Sequence, residues 1–156
     1  MNGIDRIESA LAGGAEQGTP RIVPFLTAGY PSPEAFRRLL PLVAQHADAV
    51  EVGVPFSDPM ADGVTIQAAS HVALEAGTTL RGILADLAEM QLETPVLLMS
   101  YLNPLLAYGP ARLARDAANA GVCGFIVPDL PYEERAMLAD PFLAEGPVSY
   151  THLTLP

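Results

Sequence analysis

Apolar positions along this chain recur with two alternating periods. Residues 4–17 read as a helix, with Ile4, Ile7, Ala10 and Leu11 on one face. Residues 21–27 read as a short strand ended by Ala28-Gly29-Tyr30-Pro31. Ser32 then suits an N-cap with Pro33 at the first helical position, and Phe36, Leu39, Leu40 and Val43 form a helical stripe that Pro41 should kink. The pattern continues as a strand over 48–54, helices over 63–76 and 79–91, a strand over 95–101, a helix over 110–120, a strand over 122–127 and a helix over 132–144. Gly77 and Gly121 stand where helices should stop. Asn103-Pro104 and Pro128-Asp129-Leu130-Pro131 read as turns.

Strands of near-continuous apolar residues alternating with amphipathic helices imply a parallel sheet covered by helices. The first two strands, and likewise the last two, begin about 27 residues apart; an extra helix stretches the middle step. This spacing fits (β/α) barrel units, and no G-x-G-x-x-G follows any strand to support a dinucleotide fold.

Composition narrows the picture. The 156 residues suffice for one core, half of them are hydrophobic, and no apolar run is long enough to span a membrane. The N-terminus lacks the basic and apolar regions of a secretory signal, so a cytoplasmic location is expected. A net charge of −10 argues against nucleic acid or an anionic membrane as partner. There is no lysine, which excludes a Schiff base or a Walker-type phosphate loop within this stretch. Cys123 is the only cysteine, and His46, His71 and His152 lack metal-ligand spacing, so no metal is expected.

In a barrel the chemistry sits at the C-terminal ends of the strands. Thr27, Glu51, Asp58, Asp62, Tyr101, Asn103 and Asp129 all fall there. Alternation puts Ala49, Glu51 and Gly53 on one face of their strand and three valines on the other. A carboxylate in an apolar strand is costly to desolvate, and a general acid/base with a raised pKa is the reading favoured for Glu51. Asp62, just before Gly63, reads on spacing alone as the cap of the next helix. Tyr101 is either a rim aromatic or a hydroxyl aimed into a pocket.

The run Glu51-Val52-Gly53-Val54-Pro55-Phe56-Ser57-Asp58-Pro59-Met60-Ala61-Asp62-Gly63, followed by Thr65-Ile66-Gln67, resembles the signature of the tryptophan synthase α subunit family. Pro24 to Pro31, Met99 to Pro104 and Gly124 to Pro131 support the likeness. The resemblance implies a (β/α)8 TIM barrel that cleaves indole-3-glycerol phosphate to indole and glyceraldehyde 3-phosphate. It further implies passage of indole to a β subunit, within an α2β2 heterotetramer, whose pyridoxal phosphate is the only cofactor. Glu51 then corresponds to the acid/base that protonates the indole ring at C3. Asp62 corresponds to the acid that bonds the indole N–H and stabilises charge on the ring, which reverses the reading from spacing. Phe25, Tyr101, Ile126 and Asp129 match substrate-pocket positions. Pro55, Asp58, Asn103 and Pro131 match the surface that meets the β subunit.

Residues 1–146 supply about the first half of such a barrel, four parallel strands with their helices. Residues 147–156 do not resemble the family's fifth strand and are expected to be foreign or disordered. A chain of this extent is expected to turn over little by itself, since barrel phosphate sites follow strands seven and eight. The alternative function is a non-catalytic partner that docks on and activates a β-type subunit; a strand-buried acid argues against it.

Overall fold

The computed structural model of the protein describes residues 3–145 and 149–151. The elements run α1 (Gly3–Gln17), β1 (Phe25–Thr27), α2 (Pro33–Ala44), β2 (Val50–Gly53), α3 (Val64–Glu75), α4 (Leu80–Met90), β3 (Val96–Met99), α5 (Leu102–Tyr108), α6 (Pro110–Asn119), β4 (Val122–Ile126), a 3-10 turn (Tyr132–Glu134), α7 (Ala136–Glu145) and β5 (Ser149–Thr151). The strands form one parallel sheet in the order β1-β2-β3-β4-β5, so each unit lies beside its predecessor. Of residues 147–156 only β5 is described, paired with Gly124–Ile126; the rest of that expectation lies outside the described residues.

The core lies between the sheet and its helices. Val50 and Val52 are fully buried there with Phe36 and Leu40 of α2, Ile83 and Leu87 of α4, Leu98, and Leu113 of α6. Phe125 stacks on Phe142 of α7 with centroids 4.8 Å apart. Glu51 therefore points to the opposite face, as strand alternation requires. At the N-terminal end of the sheet, Arg6 of α1 donates to the carbonyls of Gly121, Leu92 and Glu93 at 3.3, 3.4 and 2.9 Å. The other end is left to the loops that carry the candidate chemistry.

Local signals explain most boundaries. Ser32 caps α2 by accepting from Ala35 N–H, and Pro33 begins the helix. The helix continues through Pro41 to Ala44. Gly77 and Gly121 adopt positive φ after their helices.

Beyond shifts of one or two residues at element ends, three features differ from the sequence reading. β1 starts at Phe25 rather than residue 21, because Pro24 has no N–H to give a ladder. Asp48 instead holds that approach, accepting from Arg21 and from Ile22 N–H. Asn103-Pro104 is not a turn but lies in the first turn of α5. Proline is tolerated there because the first N–H groups of a helix have no partner inside it. The helix expected over 132–144 begins as the 3-10 turn and becomes α-helical only at Ala136.

Candidate functional site

The face of the sheet turned away from the helices α2, α4 and α6 is read directly from the register. Phe25, Glu51 and Leu97 stand side by side on β1, β2 and β3, and one pleat further on come Thr27, Gly53 and Met99. Glu51 is half-buried between two apolar neighbours. No hydrogen bond or ion pair reaches its carboxylate among the described residues, and burial alone pushes its pKa above 4.5. A carboxyl in this state holds its proton more readily than one in water, as an acid that must give and recover a proton requires.

Gly53 makes room for the next side chain. A Cβ at Gly53 would overlap the Phe25 ring, so glycine lets Phe25 lie across the strand. Beyond it opens a cleft lined by Phe25, Thr27, Asp62, Ser70, Ser100 and Tyr101, among others. Glu51 is not in its lining but stands one pleat below it, beside Phe25.

Asp62 reaches the cleft from the loop after β2. The cap of α3 is Gly63, with no side-chain bond, so Asp62 does not serve as the cap that spacing suggested. Its Oδ1 accepts from the Tyr101 hydroxyl at 3.0 Å, and that hydroxyl accepts from Ala61 N–H at 2.9 Å. Gln67 fixes the backbone by donating to the Asp62 carbonyl at 2.8 Å. Tyr101 is 4% exposed and packs on Phe56, with centroids 5.3 Å apart. Burial and the neighbouring Asp62 raise the phenol pKa against the opposing Ala61 N–H, so the hydroxyl stays protonated and donates. Tyr101 thus lines the cleft with its ring on Phe56 and its hydroxyl turned to the loop that carries Ala61 and Asp62.

The other candidates divide. Ile126 is buried beside Met99 on β4. Asp129 turns to α5, its Oδ1 accepting from Leu102 N–H at 2.9 Å, and is not in the cleft lining. Asp58, Asn103 and Pro131 are exposed, in or just beyond the loops after β2, β3 and β4, whereas Pro55 is buried and shapes its loop. Sequence reasoning missed Ser70 and Ser100, both buried at the cleft. The signal for Ser70 was its place beside Ala69 and Ala73 on the small-residue face of α3. Among the described residues no three His, Cys, Asp or Glu side chains group to hold a metal ion, and no helix is long and apolar enough to cross a membrane.

Comparison with known proteins places the sequence and the fold in one family. The family model described as "Tryptophan synthase alpha chain" matches residues 11–156. A curated tryptophan synthase alpha chain from Desulfovibrio desulfuricans is 48% identical over 146 residues, covering 92% of this chain and 57% of that protein. The chain thus spans somewhat more than half the length of such relatives. The crystal structure of tryptophan synthase subunit alpha from Legionella pneumophila superposes with a TM-score of 0.86 at 36% identity, over 96% of this chain and 57% of its own. A chain from the tryptophan synthase α2β2 complex of Pyrococcus furiosus gives 0.80 at 34% identity, over 86% and 54%.

Proposed function

The chain belongs to the tryptophan synthase alpha chain family, and from that membership we propose that it supplies the acid–base half of a site cleaving indole-3-glycerol phosphate to indole and glyceraldehyde 3-phosphate. The observation that carries this reading is Glu51: a carboxyl with no partner among the described residues, half-buried on the sheet face that leads into the cleft, with its pKa raised by burial. Retro-aldol cleavage needs an electron sink, and this chain has no lysine to form an imine. The indole ring serves once it is protonated.

In the proposed reaction Glu51 delivers a proton to C3 of the ring, and Asp62 accepts the ring N–H and stabilises the positive charge that develops. The hydroxyl on the adjacent side-chain carbon then gives its proton to the Glu51 carboxylate left by the first step. Its electrons form the aldehyde, the bond to C3 breaks, and the bonding pair returns to the ring as indole. Phe25 offers an apolar wall, with Tyr101 and Ile126 close by. No cofactor is assigned to this subunit; pyridoxal phosphate belongs to the β partner in this reading.

We infer that the partner is a tryptophan synthase β subunit in an α2β2 heterotetramer, met through Asp58, Asn103 and Pro131, which are exposed in or just beyond the loops after β2, β3 and β4. The cytoplasmic setting expected from the sequence goes with that role. The chain alone is proposed to turn over little, because its described strands are β1 to β5 and phosphate sites in barrels follow strands seven and eight. The test is indole release from indole-3-glycerol phosphate by the full-length protein, with and without Glu51→Gln. A fall of about 10²- to 10⁴-fold supports acid–base catalysis. Unchanged turnover leaves only the docking role.

A further inference from the structure

Helix α5 has no cap of its own. Its N-cap position is Tyr101, which makes no side-chain bond to the helix because its phenol is directed to the loop after β2. The missing acceptor comes from another loop: Asp129, after β4, accepts from Leu102 N–H at 2.9 Å. The same peptide group is held at its other end, where the buried Ser100 hydroxyl donates to the Tyr101 carbonyl at 3.0 Å. The peptide joining Tyr101 to Leu102 is therefore pinned on both sides, and the Tyr101 side chain projects from it. At the far end of that side chain the hydroxyl takes Ala61 N–H and gives its proton to Asp62 Oδ1.

From this arrangement we propose that Asp129 is a positioning residue for Asp62, acting through the first turn of α5 and the Tyr101 hydroxyl. The proposal rests on the reading of Asp62 as the acid that meets the indole N–H. It reassigns Asp129, matched by resemblance to a substrate-pocket position, to holding a loop junction. Three consecutive βα loops are tied together by it. Asp129 fixes the peptide plane, the plane aims the phenol, and the phenol sets the carboxylate. A catalytic group displaced by about 1 Å can lose on the order of 10²-fold in rate.

Chemistry separates this role from direct substrate binding. Asn in place of Asp129 keeps an acceptor oxygen for Leu102 N–H but loses the charge, whereas Ala loses both. In the full-length protein, Asp129→Ala is expected to lower kcat about 10- to 100-fold with KM for indole-3-glycerol phosphate within about 3-fold. Asp129→Asn should recover most of that loss. Tyr101→Phe should lower kcat similarly, and the double variant Asp129→Ala/Tyr101→Phe should be little worse than Tyr101→Phe alone, because both act on one link.

Glu51→Gln and Asp62→Asn are the controls. If turnover survives them, the proposed function fails. If they abolish turnover while Asp129→Ala retains the parent kcat, raises only KM, or is not rescued by Asn, the positioning role alone fails. A measurement independent of activity uses the full-length protein with tyrosine labelled with carbon-13 at Cζ. The Tyr101 resonance, identified by its loss in Tyr101→Phe, should shift in Asp129→Ala and stay in place in Asp129→Asn. A Tyr101 resonance unmoved by Asp129→Ala would overturn the inference whatever the reaction proves to be.

Discussion

The Tyr101 hydroxyl and the Asp62 carboxylate, 39 positions apart in the chain, are joined by a 3.0 Å hydrogen bond. The bond joins the loop after β2 to the end of β3, and both residues line the cleft with Phe25 and Thr27. In the proposed reaction Asp62 would thus be oriented before substrate arrives, which is the condition for stabilising charge without reorganisation.

Removing the hydroxyl tests the strength of that link. Tyr101→Phe keeps the ring on Phe56 but leaves Asp62 without its donor and Ala61 N–H without its acceptor. Urea unfolding should show a loss of about 0.5–1.5 kcal/mol, the usual worth of a protein hydrogen bond. No loss would mean that water replaces the phenol at no cost.

Glu51 has a pH signature of its own. Burial raises its pKa in the folded state above 4.5, so the fold prefers the protonated form. The stability that goes with that preference is fully present below about pH 4.5 and is lost as pH rises through the elevated folded value. Glu51→Gln should therefore stabilise the protein at pH 7.5 and have little effect at pH 4. Denaturation midpoints at the two pH values check this, and a variant less stable than its parent at pH 7.5 would contradict it.

Gly53 is a packing constraint of the site. In Gly53→Ala the new methyl group would overlap the Phe25 ring, which must swing out of its place across the strand. Overpacking of this kind costs about 1–3 kcal/mol. Thermal unfolding together with a crystal structure of the variant should show the lower stability and a displaced Phe25.

How far all this was legible in the sequence differs from residue to residue. Alternating periods disclosed the strands and helices, and the odd carboxylate in an apolar strand singled out Glu51, because both signals are local. Helix α5 was hidden, because Asn103-Pro104 reads as a turn unless the proline sits in a first helical turn. Asp62 read as a cap because a cap and a pocket carboxylate look alike until the capping position is seen to be Gly63. Asp129 was recognised as special, but its target lies 27 residues away, at the start of α5, so no spacing rule discloses it.

At the opposite end of the sheet, Arg6 ties α1 to three carbonyls that close two connections. Hydrogen bonds from a charged donor are worth about 1.5–3 kcal/mol. Arg6→Ala should speed amide hydrogen exchange throughout α1 while leaving β2 and β3 protected. Uniformly faster exchange would show instead that α1 and the sheet open together.

The most direct trial of the account follows a single proton. Indole dissolved in deuterium oxide with the full-length protein should exchange its C3 hydrogen for deuterium, read by proton NMR. We expect Glu51→Gln to slow the catalysed exchange at least about 10²-fold. Exchange as fast in the variant as in its parent would remove Glu51 from the chemistry.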